Sequence, residues 1–93
     1  KSIRIDQKEH VIQLFSSLNM EAIELVAEKD SKAARVPVSN LNLPHGSIIA
    51  LVNHNGHIKI PSGDFQISEN DTILIFCINS KIREVRNIFH SEK

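Results

Sequence analysis

Apolar residues recur at intervals of three and four residues near the start of the chain, at Val11, Leu14, Phe15 and Leu18. Because this spacing brings the four side chains to one side of a helix, it predicts an amphipathic helix. Asp6 is a candidate cap for its first turn. Residues 1–5 alternate polar and apolar side chains, a pattern compatible with a short strand or with a frayed tail.

The end of the chain shows the same helical spacing, with apolar residues at Ile82, Val85 and Phe89. Asn79 and Ser80 precede this segment, and both are residue types that cap helix N-termini. The pattern predicts a second helix that one of these two side chains caps.

A period of two begins at Glu21 and predicts a half-buried strand. Its two sides differ in character: Ile23, Leu25 and Ala27 share one, and Glu24 and Glu28 share the other. Residues 29–35 are mostly polar or have short side chains, which predicts a loop. Pro37 can then begin a short helical turn, because its missing N–H costs nothing in a first turn. Val38 and Leu41 would point inward from that turn.

Residues 47–53 are rich in Ile, Leu and Val and precede the sequence His54-Asn55-Gly56-His57. Asn-Gly between two β-prone runs predicts a two-residue hairpin, because a type I′ turn needs positive φ at both central residues. The return strand would end at Pro61, which cannot donate to a ladder.

Residues 72–78 are almost uniformly apolar, which is typical of a central strand covered on both faces. With the hairpin and the two helices, this strand predicts an α+β fold. We expect a small, mostly antiparallel sheet with helices packed against it.

The composition reduces the number of function classes that this chain can belong to. In 93 residues, 11 basic and 11 acidic side chains cancel, and only 4% of residues are aromatic. This balance disfavours a nucleic-acid partner, which calls for a cationic surface and stacking side chains. The longest apolar run, residues 73–78, is too short for a membrane helix. A single cysteine favours a reducing, cytosolic setting.

No catalytic motif or nucleotide-binding glycine loop is present, so the chain is not expected to be an enzyme. His54 and His57 flank the predicted turn and would supply half a zinc site, but as exposed hairpin residues they are not assigned a metal. Cys77 lies in an apolar run and is interpreted as a small buried hydrophobe. Asp64 and Asp71 are interpreted as turn residues rather than an acid–base pair.

Several segments occur together in a distinctive order: residues 21–26 (EAIELV), 41–46 (LNLPHG), 48–52 (IIALV) with Asn55-Gly56, 60–64 (IPSGD) and 70–76 (NDTILIF). From about residue 21 to residue 89 the chain resembles the TrkA C-terminal domain, also called the RCK C-terminal domain. The resemblance divides the chain into a connector helix region, residues 1–20, and the domain proper, residues 21–93.

The resemblance implies a cytosolic regulatory domain of a bacterial potassium or other cation transport system. Such domains dimerise, and in some branches a small ligand such as cyclic di-AMP binds near the dimer interface. NAD or ATP would belong to a preceding N-terminal RCK domain, so no cofactor is expected here. The expected partners are a second copy, a membrane transporter and an unidentified small ligand, without nucleic acid and without insertion into the membrane.

The chain departs from the family pattern at three positions. Arg35 stands where the family often has glycine, which implies strain if that site needs positive φ. His54 and Pro44 stand where arginines occur in the family and in its cyclic-dinucleotide branch, respectively. Because an arginine fork suits phosphate, these departures disfavour cyclic di-AMP.

The candidate ligand-binding residues are Pro44, His45 and Gly46 in one loop and His54 at the hairpin. Polar groups meet apolar strands at both places, although each can also be only a turn. A purely structural dimerisation domain and, less favoured, a small metal-binding domain are the alternatives to a ligand-sensing regulator.

Overall fold

A four-stranded antiparallel sheet organises the chain. The computed structural model describes residues 5–92, including the side chains of residue 10 and of residues 12–92. Its helices and strands are α1 (Ile5–Ser17), β1 (Met20–Val26), β2 (Ser47–His54), β3 (His57–Lys59), β4 (Thr72–Ile78) and α2 (Ile82–Phe89). The predicted strand or tail falls on residues 1–4, which lie outside the described residues, and on Ile5, which begins α1. Asp6, the candidate cap, lies within α1 after its first residue, and its side chain is outside the described part.

The sheet has the strand order β1-β4-β2-β3, and each neighbouring pair is antiparallel. Strand β4 lies between β1 and β2, with Ile75 paired to Ile23 on one side and to Ile49 on the other. The prediction of a central strand is therefore confirmed. Its coverage is unequal, because Ile73, Ile75 and Cys77 are buried whereas the alternate residues of β4 are only half-buried.

One face of the sheet, here called the core face, carries the hydrophobic core. Its buried members come from the strands, from the connections and from α2: Ile23, Ile49, Val52, Ile73, Ile75, Cys77, Ala27, Ala33, Leu41, Ile67, Val85 and Phe89. Helix α2 covers this face through the last two of these side chains. A small antiparallel sheet with helices packed against it confirms the predicted α+β class.

The opposite face of the sheet, here called the outer face, is only partly covered. Phe15 of α1 packs edge-on against Phe76 of β4, with 5.2 Å between the ring centroids. Helix α1 exists as predicted, but the side chains of Leu14 and Leu18 are each 54% exposed. Among the described members of the apolar stripe, Phe15 therefore packs against the sheet, whereas Leu14 and Leu18 are largely exposed.

The hairpin has the predicted geometry. Asn55 and Gly56 have φ values of 51° and 88°, as a type I′ turn requires. Asn53 Oδ1 accepts the Gly56 N–H at 2.8 Å and supports the turn. Strand β3 then runs for three residues before Ile60 and Pro61.

The predicted cap of α2 is wrong. Asn79 and Ser80 lie in a 3-10 turn, Asn79–Lys81, and neither side chain caps the helix that follows. The Ile82 N–H already donates to the Asn79 carbonyl, so the chain enters α2 through this turn without a side-chain cap.

The connection between β1 and β2 contains two further 3-10 turns. The predicted loop of residues 29–35 includes the turn Lys32–Ala34, in which the Ser31 hydroxyl accepts the Ala34 N–H at 3.3 Å. Pro37 precedes rather than begins the turn Val38–Asn40. Arg35 has a φ of −112°, so it carries no left-handed strain.

Glu28 fastens the C-terminal segment to the end of β1. Its Oε1 accepts the Ser91 N–H at 2.8 Å, and its Oε2 lies 3.0 Å from Nδ1 of His90. These hydrogen bonds, that from the Ser91 backbone above all, hold the pKa of Glu28 below its ordinary value. The ionised carboxylate therefore stabilises the folded chain.

Glu28→Gln is expected to make the stability of the chain less dependent on pH. A carboxyl whose pKa is lowered by folding stabilises above its unfolded pKa, and that contribution is lost as pH falls through the folded pKa. Melting temperatures of both proteins should differ at neutral pH and converge below pH 4.5, the ordinary value of this group. A difference that stays constant across this range would contradict the assignment.

Gly46→Ala is expected to destabilise the fold more than Gly56→Ala. Both glycines have a φ of 88°, so both substitutions cost about 1–2 kcal/mol for left-handed backbone. Only at Gly46 would the new Cβ also lie 2.7 Å from Ile78 Cδ1, whereas at Gly56 it meets open space. Chemical denaturation measures the difference, and equal losses would show that Ile78 moves aside freely.

Candidate functional site

The predicted ligand-binding residues lie at opposite ends of β2. Pro44, His45 and Gly46 directly precede the strand, and His54 is its last residue. At about 3.3 Å per residue, an eight-residue strand separates the two ends by roughly 23 Å. Within one chain the structure therefore does not bring the loop and the hairpin end together.

The contacts of the loop at the start of β2 are those of a turn. The Pro44 carbonyl accepts hydrogen bonds from the N–H and the hydroxyl of Ser47, at 3.2 and 2.6 Å. The Gly46 carbonyl accepts the Ile78 N–H at 2.9 Å, and the side chain of His45 is exposed. These bonds fix the approach of the chain to β2, and the role of this loop in ligand binding stays a prediction.

At the other end of β2, His54 forms a pair with a buried carboxylate. Asp71 is 3% exposed, and its Oδ1 lies 2.5 Å from Nδ1 of His54. Its Oδ2 accepts the Ser68 N–H at 2.9 Å. Nδ1 of His54 therefore faces the carboxylate, and Nε2 lies 3.5 Å from the amide nitrogen of Asn55.

Asp64 and Asp71 occupy different settings. Asp64 is exposed and accepts a hydrogen bond from the Ser62 hydroxyl at 2.5 Å. Asp71 supports the turn before β4 through Ser68, as predicted, but it also holds His54. The partner of Asp71 is thus an imidazole on the hairpin.

A cavity of about 420 Å³, here called the hairpin cavity, lies beside this pair. It is lined by Val52, His54, His57, Lys59, Phe65, Gln66, Ser68 and Asp71. The register of the hairpin explains half of this lining, because His54 pairs with His57 and Val52 pairs with Lys59. Directly paired residues project to the same face of a sheet, so these four side chains extend the core face beyond α2.

The metal hypothesis gains no support. His54 and His57 are cross-strand partners, as predicted, and both line the hairpin cavity. Among the described residues, however, no group of three or more His, Cys, Asp or Glu side chains is arranged to hold a metal ion.

Cys77 is a buried member of the core, as predicted. Burial raises the pKa of its thiol, which disfavours the reactive thiolate.

Lys59, Gln66 and Ser68 also line the cavity, although no sequence motif indicated them. A two-residue turn fixes the pairing of Lys59 with Val52. The alternation of β3 therefore could have predicted that Lys59 lies on the core face. Gln66 and Ser68 belong to the irregular segment that closes the cavity, where no period exists to indicate direction. Gln66 is held there by hydrogen bonds from its amide nitrogen to the carbonyls of Ala33 and Ile67.

A smaller cavity of about 280 Å³ lies on the outer face. Its lining consists of Glu24, Leu51, Asn53, Ile58, Thr72 and Leu74. Asn53, Ile58 and Thr72 are sequence neighbours of His54, His57 and Asp71. Because successive strand residues project to opposite faces, the two cavities lie back to back across the sheet.

Known proteins similar to this chain come from potassium transport. A Trk system potassium uptake protein TrkA homolog 2 of Methanosarcina mazei is 38% identical over 69 residues, which are 74% of this chain and 15% of the relative. A TrkA homolog of Pyrococcus horikoshii is 39% identical over 74 residues, or 78% of this chain and 32% of the relative. The chain thus spans less than a third of each of these relatives.

Solved structures share the fold. The RCK C domain of the potassium transport protein KtrA, in complex with cyclic diadenosine monophosphate, has a TM-score of 0.68 at 14% identity and covers 89% of this chain and 96% of that one. The RCK_C domain dimer of S. agalactiae BusR, in complex with c-di-AMP, has a TM-score of 0.63 at 19% sequence identity. The match covers 76% of this chain and 91% of the BusR chain.

No helix in the part of the chain that the structure describes has the length and hydrophobicity to span a membrane. The model of the TrkA-C domain family matches residues 22–90. With this match and relatives at 38 and 39% identity, the chain belongs to the TrkA-C domain family.

Proposed function

We propose that this chain is the cytosolic regulatory domain of a potassium transport system, which pairs with a second copy and responds to a small ligand. The named relatives are TrkA potassium uptake proteins, and the chain aligns with 15% and 32% of their lengths. A domain of this kind acts by changing the arrangement of larger parts to which it is joined.

The observation that carries the proposal is the incompletely covered outer face. Ile48 and Ile58 are 60% and 58% exposed there, and Val26 is 49% exposed. Leu51 and Leu74 between them are half-buried. An apolar surface of this kind on a small domain typically marks an interaction site.

A second copy is the partner that best suits this face. The formal charge of the chain is zero, so two copies approach without net repulsion. Helix α1 contacts the same face through Phe15 and exposes the apolar side chains of Ile12 and Leu14 beside it. The related fold of BusR is described as a dimer, which supports the same symmetry here.

The mechanism we propose is a shift between arrangements of the paired domains. A ligand that binds one arrangement more tightly raises its population, by no more than its differential affinity. That arrangement would move the attached N-terminal domain, where NAD or ATP is expected, and through it the membrane transporter. The loop of Pro44, His45 and Gly46 and the His54 end of the hairpin remain the candidate contacts.

Cyclic di-AMP is bound by the KtrA and BusR domains, but two positions of this chain disfavour it. Pro44 offers no side-chain donor, and His54 Nδ1 is already engaged by Asp71. Neither side chain replaces the two-pronged contact of an arginine with phosphate. We therefore propose a different ligand for this chain.

Ile48→Asp is expected to weaken self-association of the 93-residue chain by about tenfold or more, because a carboxylate would be buried in an apolar interface. Sedimentation equilibrium over a range of concentrations measures the effect. The matched control is Asn87→Asp, which adds the same charge to an exposed position on α2, across the sheet. A folded parent chain that stays monomeric at every concentration would refute the pairing.

A thermal-shift screen of nucleotides, cyclic dinucleotides, small organic anions and divalent cations tests the ligand-sensing part. A true ligand at about 100 times its Kd should stabilise the chain by about 2.7 kcal/mol. We expect at least one class to stabilise and cyclic di-AMP to have no effect. If the chain is dimeric and no compound raises its melting temperature, the result would favour a purely structural dimerisation domain.

A further inference from the structure

The hairpin cavity combines an apolar floor with a basic rim. Val52 and Phe65 supply carbon surface, and the aliphatic stem of Lys59 extends it. Lys59 and His57 are exposed residues of β3, so their nitrogens can reach a ligand without rearrangement of the core. A volume of about 420 Å³ is in the range of small-molecule sites.

The one carboxylate in the lining offers little of its surface to a ligand. Asp71 is 3% exposed, and both of its oxygens are engaged, Oδ1 by His54 and Oδ2 by the Ser68 N–H. What the cavity presents to a ligand is therefore the side chains of Lys59, His57 and Ser68. Nε2 of His54 lies 3.5 Å from the amide nitrogen of Asn55.

We propose that the hairpin cavity binds a small organic molecule with a terminal anionic group, phosphate or carboxylate, and an apolar body. The anionic group would contact Lys59 and His57 at the rim, and the body would lie against Phe65 and Val52. A charge-assisted hydrogen bond from an ammonium to such a group is stronger than a neutral one. The phosphates of a cyclic dinucleotide are internal diesters and do not supply a terminal group.

The position of the cavity deepens the proposed function, on which this step rests. His54, His57 and Asp71 line the hairpin cavity, and their sequence neighbours Asn53, Ile58 and Thr72 line the outer face. A ligand that draws β3 toward the segment of Phe65 would thereby shift the outer face where the second copy docks. Binding and self-association should be coupled to each other by the same factor.

Phenyl phosphate is the probe, followed by backbone amide spectra of the isotope-labelled 93-residue chain. We expect saturable shifts at His54, His57, Lys59 and Gln66. Inorganic phosphate should bind more weakly because it lacks the apolar body, and benzyl alcohol should not bind because it lacks the charge. Benzoate, compared with phenyl phosphate, decides which anionic group the cavity prefers.

Lys59→Gln should weaken phenyl phosphate binding about tenfold, the loss of one charge-assisted contact. Lys29→Gln, which removes the same charge from an exposed turn, is the control and should leave the affinity unchanged. Lys59 is exposed, so its substitution should preserve the spectrum of the core. Absence of saturable shifts, equal binding of benzyl alcohol, or equal effects of the two variants would overturn the proposal.

Self-association is measured separately by sedimentation with and without phenyl phosphate. Binding to a chain that remains monomeric would retain the anion site and refute the dimer of the proposed function. A dimer that gives no saturable shifts would retain the proposed dimer and refute the anion site. Binding that leaves the dimer constant unchanged would refute the coupling between the two faces.

Discussion

The pairing of β4 with both β1 and β2 is the constraint on which the rest of this structure depends. Its seven residues make the central ladder, and their alternation assigns the side chains paired with them to one of two faces. Ile73, Ile75 and Cys77 build the core with α2, whereas Leu74 and Phe76 face the other way. A shift of one residue in this register would exchange the two faces.

The two faces of the sheet differ in how far the rest of the chain covers them. The core face is closed by α2 and by the connections, and it contains the two largest buried side chains from those parts, Phe89 and Leu41. Among the described side chains, Phe15 covers part of the outer face where it meets Phe76. A chain of 93 residues buries a limited share of its surface. It therefore has few helices and loops with which to cover the second face of its own sheet.

The sequence predicted what local periods and turn chemistry control. The hairpin at Asn55-Gly56, the central strand and both helices followed from such signals. The cap of α2 was mispredicted because capping residue types do not reveal a preceding 3-10 turn. The pair of His54 and Asp71 joins residues 17 apart through tertiary folding, and no local pattern encodes such a contact.

The hairpin end, rather than the Pro44 loop, has the chemistry of a binding site. The backbone carbonyls of Pro44 and Gly46 in the loop already accept hydrogen bonds, from Ser47 and Ile78 respectively. At the hairpin end, strand β3 extends beyond the helix that covers the core, so its core-face side chains meet solvent. The core-face positions of β3 are occupied by the polar residues His57 and Lys59, and both are exposed. The hairpin end therefore leaves an uncovered edge of the core face, bordered by the side chains of Lys59 and His57.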